Sequence, residues 1–201
     1  MKRCPKCGRK SLICYLPFNR EANNGAKYRC RNCNSNVGTP PVCRETGEDY
    51  RDIAVSLEFR VGGFGGGKKT ILIKKDTAGI ELSAWSRFSP CPPDIRRPME
   101  NAEWKKLLDR LYGKLYLHEW KKSFVEPKIL DGAQWELKLA FTGDRVESYY
   151  GSNRYPPYWE KLEELFDPYW QEARSAASKK AIIPPPPTII PPSPKERKPK
   201  K

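Results

Sequence analysis

The sequence predicts an α+β protein: a small metal-stapled module, then a mainly antiparallel sheet with two helices, then a disordered Pro-rich end. Three observations carry this. Two Cys-x-x-Cys turns lie close to the N-terminus. Segments of two-residue apolar alternation outnumber and interrupt two segments of helical spacing, which argues hairpin-linked strands with segregated helices. Prolines crowd the last twenty residues.

The first module spans 1–44. Cys4-Pro5-Lys6-Cys7-Gly8 and Cys30-Arg31-Asn32-Cys33-Asn34 are separated by twenty-two residues. Two residues between cysteines let a tight turn aim both sulfurs at one ion, and two such turns complete a tetrahedral thiolate shell. Gly8 and Asn34 allow the backbone to approach the sulfur. Ser11–Leu16 and Lys27–Arg29 read as the short strands between the turns. The segment is too small for its own core, so metal binding would supply most of its folding energy. It resembles a zinc ribbon, with Cys4, Cys7, Cys30 and Cys33 holding one structural Zn2+. Iron in a rubredoxin-like site and disulfides remain as alternatives. Cys14, Cys43 and Cys91 have no paired spacing and read as small buried apolar residues, with Cys43 the natural substitute in the ligand set.

The second unit spans 45–170. Ile53–Val61, Thr70–Lys74 and Gly79–Trp85 alternate as strands, and Gln134–Phe141 with Arg145–Tyr150 read as a hairpin through Thr142-Gly143-Asp144. Trp104, Leu107, Leu108, Leu111 and Tyr112 fall at helical spacing before Gly113. Pro157–Phe166 is a second helix with proline in its first turn. Gly62–Thr70 looks like a phosphate-binding loop, but Lys69 stands where Ser or Thr is required and a strand follows instead of a helix. It reads as a hairpin connection.

Within this unit, Leu130-Asp131-Gly132-Ala133-Gln134-Trp135 and Tyr150-Gly151-Ser152-Asn153-Arg154-Tyr155-Pro156-Pro157-Tyr158-Trp159 resemble a domain of small uncharacterised bacterial cytoplasmic proteins. The resemblance implies an α+β fold and no activity. Trp135 and Trp159 read as core. Asn153 reads as a turn residue bonding nearby amides. Tyr149, Asn153, Arg154 and Tyr155 are also candidates for a partner-contact surface.

Residues 171–201 form the third region. Pro184–Pro187, Pro191-Pro192, Pro194 and Pro199 bar helix and sheet alike, and the segment is expected to be disordered.

The net charge of +14 resolves into +9 for 1–44, −1 for 45–170 and +6 for 171–201. The excess therefore sits at the two ends. No apolar run approaches a membrane span, and Met1-Lys2-Arg3-Cys4-Pro5 lacks the apolar core of a signal peptide, so a cytoplasmic protein is expected. His118 is the single histidine, with no Ser, Cys or acid partner fixed near it, and reads as structural. No acid/base pair stands out, and no enzyme is expected. These observations fit a non-catalytic interaction module acting through protein–protein contacts. The alternative is nucleic-acid binding through the basic ribbon and tail, with Arg3, Arg9, Lys10, Arg29 and Arg31 as contacts. An inhibitor or adaptor encoded by a mobile element is a further alternative.

Overall fold

The computed structural model describes residues 3–63, 67–86, 92–129 and 132–182. The Pro-rich stretch from 183 onward, Cys91, Leu130, Asp131 and the centre of the glycine loop (64–66) lie outside the described residues.

Three short strands come first: β1 (Leu12–Cys14), β2 (Tyr28–Cys30) and β3 (Asn36–Val37), paired antiparallel in that order. A one-turn helix α1 (Tyr50–Ile53) follows, opened by Asp49, whose carboxylate accepts the Arg51 amide. Then come β4 (Ala54–Gly63), β5 (Gly67–Asp76), β6 (Gly79–Trp85) and β7 (Ile95–Pro98). Helix α2 (Asn101–Gly113), β8 (Ser123–Val125), β9 (Ala133–Phe141), β10 (Val146–Ser152) and α3 (Trp159–Ile182) complete the chain.

The seven later strands form one sheet in the order β7-β6-β5-β4-β9-β10-β8. All its neighbours are antiparallel except β8, which runs parallel to β10. The fold is thus α+β with a mainly antiparallel sheet, and the described residues form three α-helices where two were expected. The glycine segment joins β4 to β5, with Gly63 opposite Gly67, so strands flank it on both sides.

Alternation decides which face is covered. Leu57 and Phe59, Ile71 and Ile73, Leu82 and Ala84, and Leu137, Leu139 and Phe141 all point to one face and are buried. The opposite face carries Glu58, Arg60, Glu136 and Lys138, which pair with one another. Helix α3 packs on β5, β6 and β7. Its Phe166 and Trp170 rings sit 4.7 and 5.4 Å from the Phe59 ring. Helix α2 buries Trp104, Leu107, Leu108, Leu111 and Tyr112, the stripe its spacing predicts.

The end of α3 departs from expectation. The helix continues through Pro168 to Ile182 instead of giving way at Gln171. Charge composition suggested a boundary there, but charge does not end a helix. Residues 171–181 are rich in Ala, with Gln, Glu, Arg and Lys beside it, all strong helix formers, and Ala173 is fully buried. Pro168 lies on the exposed side, where its missing amide disturbs no packing.

Gly151 shows why the Gly-Ser-Asn turn needs its glycine. A Cβ there would lie 2.2 Å from Trp135 Nε1 and 2.5 Å from the Arg154 carbonyl oxygen. Those two atoms already share a hydrogen bond of 3.0 Å. Asn153, at φ +54°, sends Oδ1 back to accept the Ala133 amide at 3.0 Å. The turn therefore closes the β9–β10 hairpin at its open end and delivers the chain to α3.

The N-terminal sheet is packed against the end of α2, the turn after it and the segment leading into α3. Cys4, Leu12, Cys30 and Val37 belong to the same buried cluster as Tyr112, Leu117 and Tyr158. The Tyr158 hydroxyl donates to the Arg3 carbonyl. The Thr39 amide and hydroxyl both donate to Glu119 Oε1 at 2.9 Å. Among the described residues, no helix is long and apolar enough to cross a membrane.

Candidate metal centre and the adjoining cleft

Both cysteine turns have one backbone design. In the first, the Cys4 amide donates to the Arg9 carbonyl at 2.9 Å and the Gly8 amide to the Cys4 carbonyl at 2.8 Å. In the second, the Cys30 amide donates to Ser35 and the Asn34 amide to Cys30, each at 2.9 Å. The residue four places after the first cysteine has positive φ in both, +75° at Gly8 and +59° at Asn34. Only Gly, and to a lesser degree Asn, adopts that conformation cheaply.

These turns bring the four sulfurs of Cys4, Cys7, Cys30 and Cys33 within 4.8 Å of one another. The Cys4–Cys33 and Cys7–Cys30 separations are 3.7 and 3.6 Å. A tetrahedral ion with metal–sulfur bonds of about 2.3 Å places its sulfurs about 3.8 Å apart. A disulfide would need about 2.05 Å. The geometry is that of one metal site, and it is the one such group among the described residues.

The thiols differ in acidity. Burial pushes Cys4 up to about 12, against the pull of the Cys7 and Lys6 amides. At Cys30, burial is outweighed by the Ser11 hydroxyl, 3.0 Å away, and by the Cys33 and Asn32 amides, which bring it down to about 6. Cys33 is also lowered, with burial overcome by the Ser35 hydroxyl and amide. Four thiolates this close would repel one another, and burial already holds the Cys4 thiol protonated at neutral pH. A dication at the centre allows all four to ionise.

A third loop repeats the same backbone. The Cys43 amide donates to the Glu48 carbonyl at 2.8 Å and the Gly47 amide to the Cys43 carbonyl at 2.9 Å, with Gly47 at φ +74°. Thr46 stands where the second cysteine stands in the other two. Cys43 is neither a ligand of the cluster nor an inert apolar residue, the two readings its sequence suggested. Its Sγ accepts from the Arg145 guanidinium. The Thr46 hydroxyl first, then the Thr46 and Glu45 amides and Arg145, hold its pKa below the usual thiol range against burial.

Arg145 continues into a polar cluster at the end of the sheet. Its Nη2 donates to Glu147 Oε1 at 2.9 Å and to the Tyr50 hydroxyl at 3.0 Å. Tyr50 in turn donates to Glu147 Oε1 at 3.0 Å, while Tyr149 and Lys122 reach Oε2, both at 2.8 Å. Burial opposes ionisation of Glu147, but Lys122 and Tyr149 outweigh it and hold the carboxylate below its ordinary value. Lys6, Thr39, Tyr50, His118, Glu119 and Arg145 line a cavity of about 750 Å3 beside the cysteine module.

His118 acts in this wall as a strut. Its Nε2 lies 3.1 Å from the Thr39 carbonyl oxygen, and burial brings its pKa down to about 4. Glu119 is pushed the other way, above the usual carboxylate range, again by burial. Together they grip Thr39, the link between the cysteine module and α1.

The remaining candidates fall in three places. Arg3, Arg9, Lys10, Arg29 and Arg31 are all exposed. Arg154 and Tyr155 are also exposed, with Asn153 half-buried. Tyr149 is not on that surface: it is fully buried, its hydroxyl on Glu147, because alternation turns it inward and Tyr150 outward. Cys14 is exposed on the edge strand β1, contrary to the buried position expected. No known family model, curated protein or solved structure matches the chain.

Proposed function

We propose that the chain is a non-catalytic nucleic-acid-binding protein whose basic N-terminal module is a zinc ribbon, with one structural Zn2+ on Cys4, Cys7, Cys30 and Cys33. Zinc is favoured by the all-thiolate donor set and by sulfur separations that suit a closed tetrahedral shell. The observation that carries the binding function is uncompensated charge. None of the described Lys and Arg residues in 3–44 forms an ion pair within the described structure. Glu21 is the only acid in that segment. Five arginines of the body differ: Arg51, Arg60, Arg96, Arg97 and Arg145 each hold a carboxylate. A tetrathiolate zinc centre carries a charge of about −2, too little to neutralise the module. A polyanion supplies the missing counter-charge, and its condensed cations, released on binding, drive association.

A second reading rests on a different feature. Ile13, Leu16 and Phe18 are 39, 57 and 76% exposed around the free edge of β1. Apolar side chains beside an unpaired strand edge suit a protein partner.

Two measurements separate these. Native mass spectrometry should find one zinc, absent after Cys30→Ser/Cys33→Ser; a metal that survives the double change sinks the ligand assignment. The zinc-loaded protein should bind DNA or RNA with an affinity that falls steeply with salt and weakens in Arg9→Glu/Arg31→Glu. No binding even at low salt refutes the nucleic-acid reading and leaves the exposed edge of β1 as the surface to pursue.

A further inference from the structure

We propose that the phosphate backbone of the nucleic acid docks in the cleft where the cysteine module meets the end of α2 and the start of α3. This rests on the function proposed above and names the site for it. The cleft holds about 500 Å3 and is lined by Arg3, Lys10, Lys114 and Lys161, with Tyr116 and Tyr158 beneath them. Its only carboxylate among the described residues is Glu160. The four cations come from three separate segments, all are exposed, and none forms an ion pair among the described residues. Folding therefore gathers like charges at one place without neutralising them, which costs free energy until an anion arrives.

The fixed parts of the site explain how the cations are held. Arg3 and Lys10 bracket the first cysteine turn, and the Tyr158 hydroxyl bonds the Arg3 carbonyl, tying the module to α3 at this seam. The Lys161 ammonium lies 5.9 Å from the Tyr158 ring centre. The first turn of the 24-residue helix α3 forms one wall, and its leading amides add partial positive charge.

The chemistry selects the backbone and not the bases. Tyr116 and Tyr158 are 4 and 7% exposed, so neither offers a face on which a base could stack. Among the described residues no Asn or Gln lines the cleft to read adenine edges, and its four cations are set as separate point charges suited to phosphates. Contacts restricted to phosphate position a nucleic acid without reading its sequence.

The test is binding of the full zinc-loaded chain to short mixed-sequence duplexes, titrated across salt. Lys114→Glu/Lys161→Glu changes two exposed residues outside the metal-binding segment, and unchanged zinc content and Tm confirm its fold. Each lost phosphate contact lowers the salt slope by about 0.9 and the affinity about eightfold near 0.1 M salt. The pair is therefore expected to bind at least about sixtyfold more weakly, equally for every sequence. Lys105→Glu/Lys179→Glu makes the same charge change outside the cleft lining; Lys179 stands about 27 Å along α3 from Lys161. It should lose far less. Binding by the wild type with no change in the cleft pair, or an equal loss in both pairs, overturns the cleft and leaves the proposed function standing. So does a loss that depends on sequence. Failure of the wild type to bind any duplex or single strand at low salt removes the proposed function, and the cleft with it.

Discussion

Replacing Arg145 with Met tests whether the third cysteine loop is held by a cation in place of a metal. Methionine keeps much of the packing volume against Tyr50 and Phe141, whose ring centres lie 5.3 and 5.9 Å from the guanidinium carbon. It removes the charge and the bonds to Cys43, Tyr50 and Glu147. Breaking a buried ion pair by deleting one partner costs about 3–5 kcal/mol. The cost here is smaller, because Arg145 is 24% exposed and Glu147 keeps Lys122, Tyr50 and Tyr149. Cys43 loses a donor to its sulfur and the least of the influences that lower its pKa, which should therefore rise. A hydrogen bond to a charged group is worth about 1.5–3 kcal/mol, so a loss of about 2–3 kcal/mol is expected at pH 7. For a chain of this length that is a fall in Tm of about 4–12 °C.

The assay is thermal and urea unfolding with zinc content monitored, so that the metal centre stays constant across variants. Cys43→Ala and the double variant complete a cycle. If the Cys43 sulfur and the guanidinium hold each other, the two changes are non-additive by about 1 kcal/mol or more. Arg145→Met within about 0.5 kcal/mol of wild type, or an additive cycle, refutes the sulfur–guanidinium pairing.

Two other predictions concern the seam and the hairpin. His118 has a folded pKa of about 4 against an ordinary 6.5, so the unfolded chain takes its proton first and stability falls as pH drops from 6.5 toward 4, by about 3 kcal/mol in all. His118→Gln should remove that acid-side loss in pH-dependent urea melts, leaving the opposing trend of Glu119, whose raised pKa lowers stability as pH rises above its ordinary 4.5; an unchanged acid limb assigns the slope to other groups. Gly151→Ala forces a methyl into Trp135 Nε1 and the Arg154 carbonyl and should cost about 3 kcal/mol, whereas Gly143→Ala, which meets no atom within 4 Å, pays only for its positive φ; equal losses in the two would show that contact is not what excludes the side chain at 151.

What the sequence disclosed depended on whether one side chain's neighbours lie nearby in the chain. The strands β4, β5, β6, β9 and β10 were legible because each buries a single face, so its own alternation records the core. Helix α2 was legible for the same reason at helical period. Strands β7 and β8 were not, being four and three residues long with too few positions for any period. The parallel pairing of β8 with β10 is set by tertiary placement and leaves no local mark. Tyr149 was legible in principle: it alternates with Tyr150, so only one of the two could face solvent. The cysteine turns give the sharpest case. Backbone shape in these loops depends on the residue four places after the first cysteine, and Gly8, Asn34 and Gly47 all meet that need. Ligand identity depends on the residue three places after, where Thr46 breaks the Cys-x-x-Cys pattern. A search for paired cysteines therefore finds metal and misses the shape. What fills the space facing the Cys43 sulfur is decided by Arg145, 102 residues away, and no local spacing could announce it. The Cys43 loop thus shares its backbone with the two turns of the four-cysteine cluster, and the rest of the fold determines whether other sulfurs or a guanidinium meets the cysteine.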